Sequence, residues 1–153
     1  MNSALSFTNS PYTSFMHETK IRLSNGIELH VEMGGNPQDP AIMLIMGLGA
    51  QMLFWPDFFC KSLIDQGYRV IRFDNRDIGL SSKIRHSGPR LNTFKLMGRF
   101  ALGLENQGAP YNLYDMAEDA ALLIEHLGLE TVSVLGASMG GMIAQILAAK
   151  YPE

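Results

Sequence analysis

Gly136-Ala137-Ser138-Met139-Gly140 has the spacing G-x-S-x-G and lies between two apolar stretches. A β-branched run, Thr131 to Leu135, precedes it, and an apolar helical segment, Met142 to Ala149, follows. A strand, a sharp turn and a helix raise a serine hydroxyl above a sheet, where it can attack a carbonyl carbon. The helix that starts there aims unpaired N–H groups and a positive dipole end at the same spot, which favours a developing oxyanion. Glycines at 136 and 140 let strand and helix approach where a Cβ would clash. The pattern points to nucleophilic acyl transfer with Ser138 as the nucleophile.

Other elements must carry this turn. Lys20 to Leu23 reads as a short strand. Ser24-Asn25-Gly26 supplies a turn, and Ile27 to Met33 alternates, with His30 and Glu32 on the polar face of a hairpin. Ala41 to Met46 is continuously apolar, as a central strand covered on both faces would be. Gly47-Leu48-Gly49 breaks it. Pro56 suits the first turn of a helix that carries Phe59, Leu63 and Ile64 inward and stops at Gly67. Tyr68 to Phe73 is the next strand, and Asp74 to Ser82 is a polar loop at its carboxyl end, where Arg76 and Asp74 are expected to pair.

Lys83 to Pro110 reads as an irregular insertion. Asn112 begins an amphipathic helix with Leu113, Met116, Ala117, Ala120, Leu123, Ile124 and Leu127 on one stripe. Asp115, Glu118, Asp119 and Glu125 face away from it, and Gly128 ends the helix. The order β-β-β-α-β-(insertion)-α-β-α implies an open, mostly parallel α/β sheet. Functional groups of such sheets gather at the carboxyl ends of the strands. Three loops lie there: Gly47–Trp55, Asp74–Ser82 and the Ser138 turn.

Composition narrows the function. The chain has 153 residues, 46% hydrophobic and 18% charged, which suits one globular domain. A net charge of −3 gives no basic footprint for nucleic acid. No apolar run approaches the roughly 20 residues that span a bilayer, so no membrane partner is expected. One cysteine, Cys60, forms no internal disulfide and reads as a packed core thiol; a reducing, cytoplasmic setting is expected. Met1 to Phe15 is rich in Ser, Asn and Thr, without the charged and apolar regions of a signal peptide. A disordered tail over residues 1–18 is expected, with residues 19–153 forming the N-terminal half of a domain.

Three loops together resemble the α/β-hydrolase superfamily. Gly136-Ala137-Ser138-Met139-Gly140-Gly141 resembles its nucleophile elbow. Met46-Gly47-Leu48-Gly49 with Trp55-Pro56 resembles its oxyanion loop, and Asp74-Asn75-Arg76-Asp77-Ile78-Gly79-Leu80-Ser81 its D-x-R-G-x-G-x-S loop. Leu44 to Ser82 is most similar to the aclacinomycin methylesterase-like branch. Met46 stands where His is frequent, and Asp77 where Gly commonly follows the Arg. The superfamily orders its triad as Ser, then Asp or Glu, then His. The resemblance therefore implies that this is the N-terminal half of the fold, truncated after the nucleophile helix, with acid and histidine beyond residue 153.

The resemblance implies a serine esterase: Ser138 as nucleophile, the backbone N–H groups of Leu48 and Met139 as oxyanion hole, and Gly47 and Gly49 lining the substrate pocket. No cofactor and no metal are implied, and the partner is a small-molecule ester. Trp55 reads as packing under its loop, Met139 as site lining and Met142 as core. Of the histidines, His86 alone follows a loop on the catalytic side; a solvated loop histidine is its plainer reading. Asp77 as triad acid would need a histidine partner. Two alternatives stay open. One is a C–C bond hydrolase, lactonase or perhydrolase of the same fold. The other is an inactive fragment, or half of a split protein, that self-associates or needs a complementing C-terminal half.

Overall fold

A computed structural model describes residues 15–84 and 110–152. Five strands form one mixed sheet, ordered β1-β2-β4-β3-β5. They are β1 (Met16–Arg22), β2 (Glu28–Gly34), β3 (Ala41–Ile45), β4 (Arg69–Phe73) and β5 (Val132–Gly136). β1 and β2 form an antiparallel hairpin around Gly26, whose φ of 86° suits the turn. β2 runs antiparallel to β4, while β3 runs parallel to both β4 and β5. β5 stands at the edge of the described sheet.

β1 starts at Met16, so residues 16–18, expected within the tail, pair with Gly34, Met33 and Glu32. Met16 is buried against the α1 side of the sheet, and that packing extends the strand. The insertion expected at Lys83 to Pro110 lies, apart from its ends, outside the described residues.

Helices cover both faces. α1 (Asp57–Asp65) packs Phe59, Cys60, Leu63 and Ile64 against Met16, Leu44 and Val70. Pro56 is its N-cap, one position before the expected first turn. On the opposite face lie α2 (Leu113–His126) and α3 (Met139–Lys150). Met116, Ala117, Ala120 and Leu123 of α2 and Ile143 and Leu147 of α3 bury against Val31, Met43, Ile45 and Phe73. Asn112 caps α2: its side chain accepts from the N–H groups of Tyr114 and Asp115, and Asp115 accepts from the Asn112 N–H.

Alternation sorts β2 and β4 correctly but misjudges one face. Leu29 and Val31 point to the α2–α3 side, and His30 and Glu32 to the α1 side. That second face is also covered, so His30 and Glu32 are buried rather than solvated. Arg72, opposite Glu32 on β4, is fully buried. Its guanidinium donates to Glu32 at 2.7 Å, Asp57 at 2.9 Å and the Trp55 carbonyl at 2.6 Å. A buried charge needs such partners, because desolvation alone would expel it. No helix among the described residues is long and apolar enough to cross a membrane.

Candidate active site

The carboxyl ends of β3, β4 and β5 bring the three loops together. Ser138 is the N-cap of α3, with φ 53° and ψ −119°. A non-glycine residue held there costs on the order of 1–3 kcal/mol, and such strain persists only when the surroundings impose it. The surroundings are glycines. A Cβ on Gly136 would collide with the backbone of Gly140 and Gly141, and one on Gly140 with the carbonyl of Ile45. The Ala137 N–H donates to the Ile45 carbonyl at 3.0 Å, which ties the turn to β3.

An N-cap serine ordinarily accepts from the second or third helical N–H. Ser138 makes no such bond, and its side chain is exposed. The first turn of α3 carries no acidic residue, so the positive end of the helix dipole stays uncompensated beside the hydroxyl.

The loop after β3 closes on this turn. Gly47 is buried, and a Cβ built on it would lie 3.0 Å from the Ala137 carbonyl and 3.2 Å from the Ser138 Cβ. Leu48 and Gly49 are exposed, and Gly49 has φ 73°. Neither the Leu48 nor the Met139 backbone N–H bonds to any backbone carbonyl among the described residues, whereas those of Ala137, Gly140 and Gly141 do. Met139 is partly buried against the α2–α3 core. Met142, expected in the core, is 42% exposed, because the helical spacing of α3 turns Gly140, Ile143 and Leu147 inward instead. Trp55 stacks on Phe59 with ring centroids 5.7 Å apart, the packing role its position suggests.

The polar loop after β4 is a buried brace. Asp74, Asn75, Arg76 and Ser81 are all buried. Asp74 does not pair with Arg76. Its Oδ1 accepts from the Met52 N–H at 2.9 Å, and its Oδ2 accepts from the Leu80 N–H at 3.1 Å and lies 3.4 Å from His30 Nδ1. Burial opposes its ionisation, yet the His30 contact and the two N–H groups hold its carboxyl below the usual range. Asn75 Nδ2 donates to the Met46 carbonyl at 2.9 Å. Arg76 reaches instead to Asp119 of α2, expected on the solvent side but buried by this contact.

Asp77 sits at φ 67°, a backbone conformation that explains why glycine is at home there. Its Oδ1 accepts from the Ile84 N–H at 2.6 Å, and the Tyr111 hydroxyl bonds to the same side chain. Burial and this carboxylate push the Tyr111 hydroxyl's pKa well up. Asp77 thus joins the residues on either side of 85–109.

His30 reaches neither Ser138 nor Asp77. His30 is engaged by Asp74 and Glu18, and His126 is exposed at the end of α2. His86 lies outside the described residues. A cleft of about 530 Å³ opens between β2, β4 and α1, lined by Glu18, His30, Asp57 and Leu80 among others. Neither Ser138, Leu48 nor Met139 lines it, so it is separate from the serine turn. Among the described residues no group of three or more His, Cys, Asp or Glu side chains could hold a metal ion.

Comparison with known proteins fits this geometry. The profile of a family described as alpha/beta hydrolase fold matches residues 40–153. Rhodomycin D methylesterase of Streptomyces peucetius is 31% identical over 135 residues, covering 88% of this chain and 39% of that protein. A hydrolase from Pseudomonas aeruginosa superposes with a TM-score of 0.68 at 25% identity, covering 88% of this chain and 42% of that one. A putative acyltransferase from Salmonella enterica superposes with a TM-score of 0.71 at 25% identity, covering 94% and 40%. The chain thus spans about two fifths of the length of these relatives.

Proposed function

The chain belongs to the α/β-hydrolase fold family, and on that premise we propose that it carries the nucleophile and oxyanion hole of a serine hydrolase acting on carboxylic esters. The observation that carries the reading is the backbone of Ser138, held at positive φ with an uncapped, exposed hydroxyl at the start of α3. A serine with a purely structural capping role would spend its oxygen on the helix.

The steps follow from that placement. Ser138 Oγ attacks the ester carbonyl carbon while a general base takes its proton. The carbonyl oxygen, now anionic, accepts from the N–H groups of Leu48 and Met139. Collapse expels the alcohol, and water then attacks the acyl-serine to release the acid. His30 is committed to Asp74 and Glu18 and is not that base. Gly47 and Gly49 keep the approach to the hole open. The methylesterase relative supports an ester as the substrate class.

The protein made from its complete coding sequence is expected to be labelled covalently by a fluorophosphonate, and Ser138→Ala to abolish labelling. A folded wild-type protein that resists the reagent would sink the reading.

A further inference from the structure

The loop from Met46 to Met52 is poorly able to hold its own shape. It contains Gly47 and Gly49, and its one internal backbone bond, from the Ala50 N–H to the Gly47 carbonyl, is long at 3.3 Å. Both of its ends are nevertheless fixed, by two consecutive residues after β4. Asp74 Oδ1 accepts from the Met52 N–H, and Asn75 Nδ2 donates to the Met46 carbonyl, each at 2.9 Å and each buried. The orientation of the Asn75 carboxamide is unambiguous, because a carbonyl can only accept and only the NH2 end can donate.

We infer that Asn75 is a positioning residue for the oxyanion hole, acting through the Met46 carbonyl on the Leu48 N–H. The inference rests on the serine-hydrolase reading above. The Met46 carbonyl and the Gly47 N–H share one planar peptide, so holding the oxygen fixes the plane from which Gly47 departs. Gly47 itself is wedged against Ala137 and Ser138. With the plane set on one side and the elbow on the other, the next N–H, that of Leu48, has its direction determined. Without the Asn75 bond the buried Met46 carbonyl lacks this partner, and the flexible Gly47–Gly49 segment can swing. A displacement of about 1 Å at a site of this kind costs up to roughly 10²-fold in rate.

The test uses protein from the complete coding sequence with p-nitrophenyl acetate. Asn75→Leu keeps the volume and removes the donor. It is expected to lower kcat by roughly 10–100-fold and to leave KM within about threefold, since an oxyanion contact acts in the transition state. Asn75→Asp supplies a check that a general packing role would not give. Its carboxylate faces the Met46 carbonyl without a proton, and regains a donor only when protonated. The ratio of its kcat to the wild-type kcat is therefore expected to rise as pH falls. This ratio decides the matter if Asn75→Leu does not fold.

A wild-type kcat in Asn75→Leu, a loss confined to KM, or a pH-independent Asn75→Asp ratio overturns the inference. Wild-type protein that is not labelled at Ser138 overturns the parent reading, and the inference with it. Labelled wild type with unaffected Asn75 variants overturns the inference alone.

Discussion

Arg76 and Asp119 meet as a side-on pair, with Nε donating to Oδ2 and Nη2 to Oδ1, each at 2.6 Å. The pair joins the loop after β4 to the middle of α2. Asn25 of the hairpin turn donates to the same carboxylate at 2.8 Å, and the Tyr111 ring lies under the guanidinium, 5.1 Å from its centroid. The hairpin turn and the loop after β4 thus converge on Asp119. The brace that grips the Met46–Met52 loop is itself anchored to the helical layer.

Removing one member of this pair strands the other in a site from which water is excluded. Asp119→Ala is expected to cost about 3–5 kcal/mol in unfolding free energy, read from urea titration. The double variant Asp119→Leu with Arg76→Met should cost less than Asp119→Ala alone, because no charge is left unpaired. Equal or greater loss in the double variant would show that packing of the guanidinium stem, not its charge, matters here.

The glycines around the serine separate steric need from conformational need. Gly140→Ala places a methyl into the Ile45 carbonyl, a collision with backbone that no rotamer change relieves. A cost of about 3 kcal/mol is expected. Gly49→Ala meets open space but must hold φ 73°. It should cost only about 1–2 kcal/mol. Chemical denaturation of both variants checks the order, and a Gly49→Ala change that costs more than Gly140→Ala would refute the steric account.

The elbow was legible in the sequence because its parts are local: a β-branched run, a serine between two glycines, then a helix. The strands and helices followed from periodicity for the same reason. What escaped depends on contacts between distant residues. Alternation says that His30 and Glu32 share a face, not that α1 and Arg72 cover it. Arg72, set among Val70, Ile71 and Phe73, was the available clue to a buried ion pair. Arg76 had a carboxylate two residues away in Asp74, yet it chose Asp119, 43 residues distant. Sequence proximity ranks partners poorly when the backbone between them turns. Asn75 left no signal at all, because its acceptor is a backbone carbonyl and carries no residue type.

Strain at Ser138 predicts an opposition between stability and function. Ser138→Ala keeps the Cβ that makes φ 53° costly, whereas Ser138→Gly removes it. Both should lose fluorophosphonate labelling. Ser138→Gly should be the more stable of the two by about 1 kcal/mol, even though glycine pays more unfolded-state entropy. Matched thermal melts check this. A less stable glycine variant would mean that the turn imposes no strain on its side chain.

His30 predicts how stability depends on pH. Its Nδ1 lies 3.4 Å from Asp74 and its Nε2 3.5 Å from Glu18, so carboxylates flank both ring nitrogens. The bond to Asp74 raises its pKa above 6.5, against the opposing pull of burial. A raised folded pKa means that the folded state binds the proton more tightly than the unfolded chain. The resulting stabilisation is complete below pH 6.5 and is lost as pH rises through the folded value. Asp74 works in the other direction. Its depressed pKa gives stability above 3.8 that is lost as pH falls through the folded value. The His30–Asp74 pair therefore contributes most between those limits. His30→Gln should lower the melting temperature most near pH 6 and should flatten the decline of stability above pH 6.5. Because Asp74 also holds the Met52 N–H, amide exchange at Met52 should quicken in the variant near pH 6. An unchanged alkaline slope in His30→Gln would show that the imidazolium is not the group that titrates.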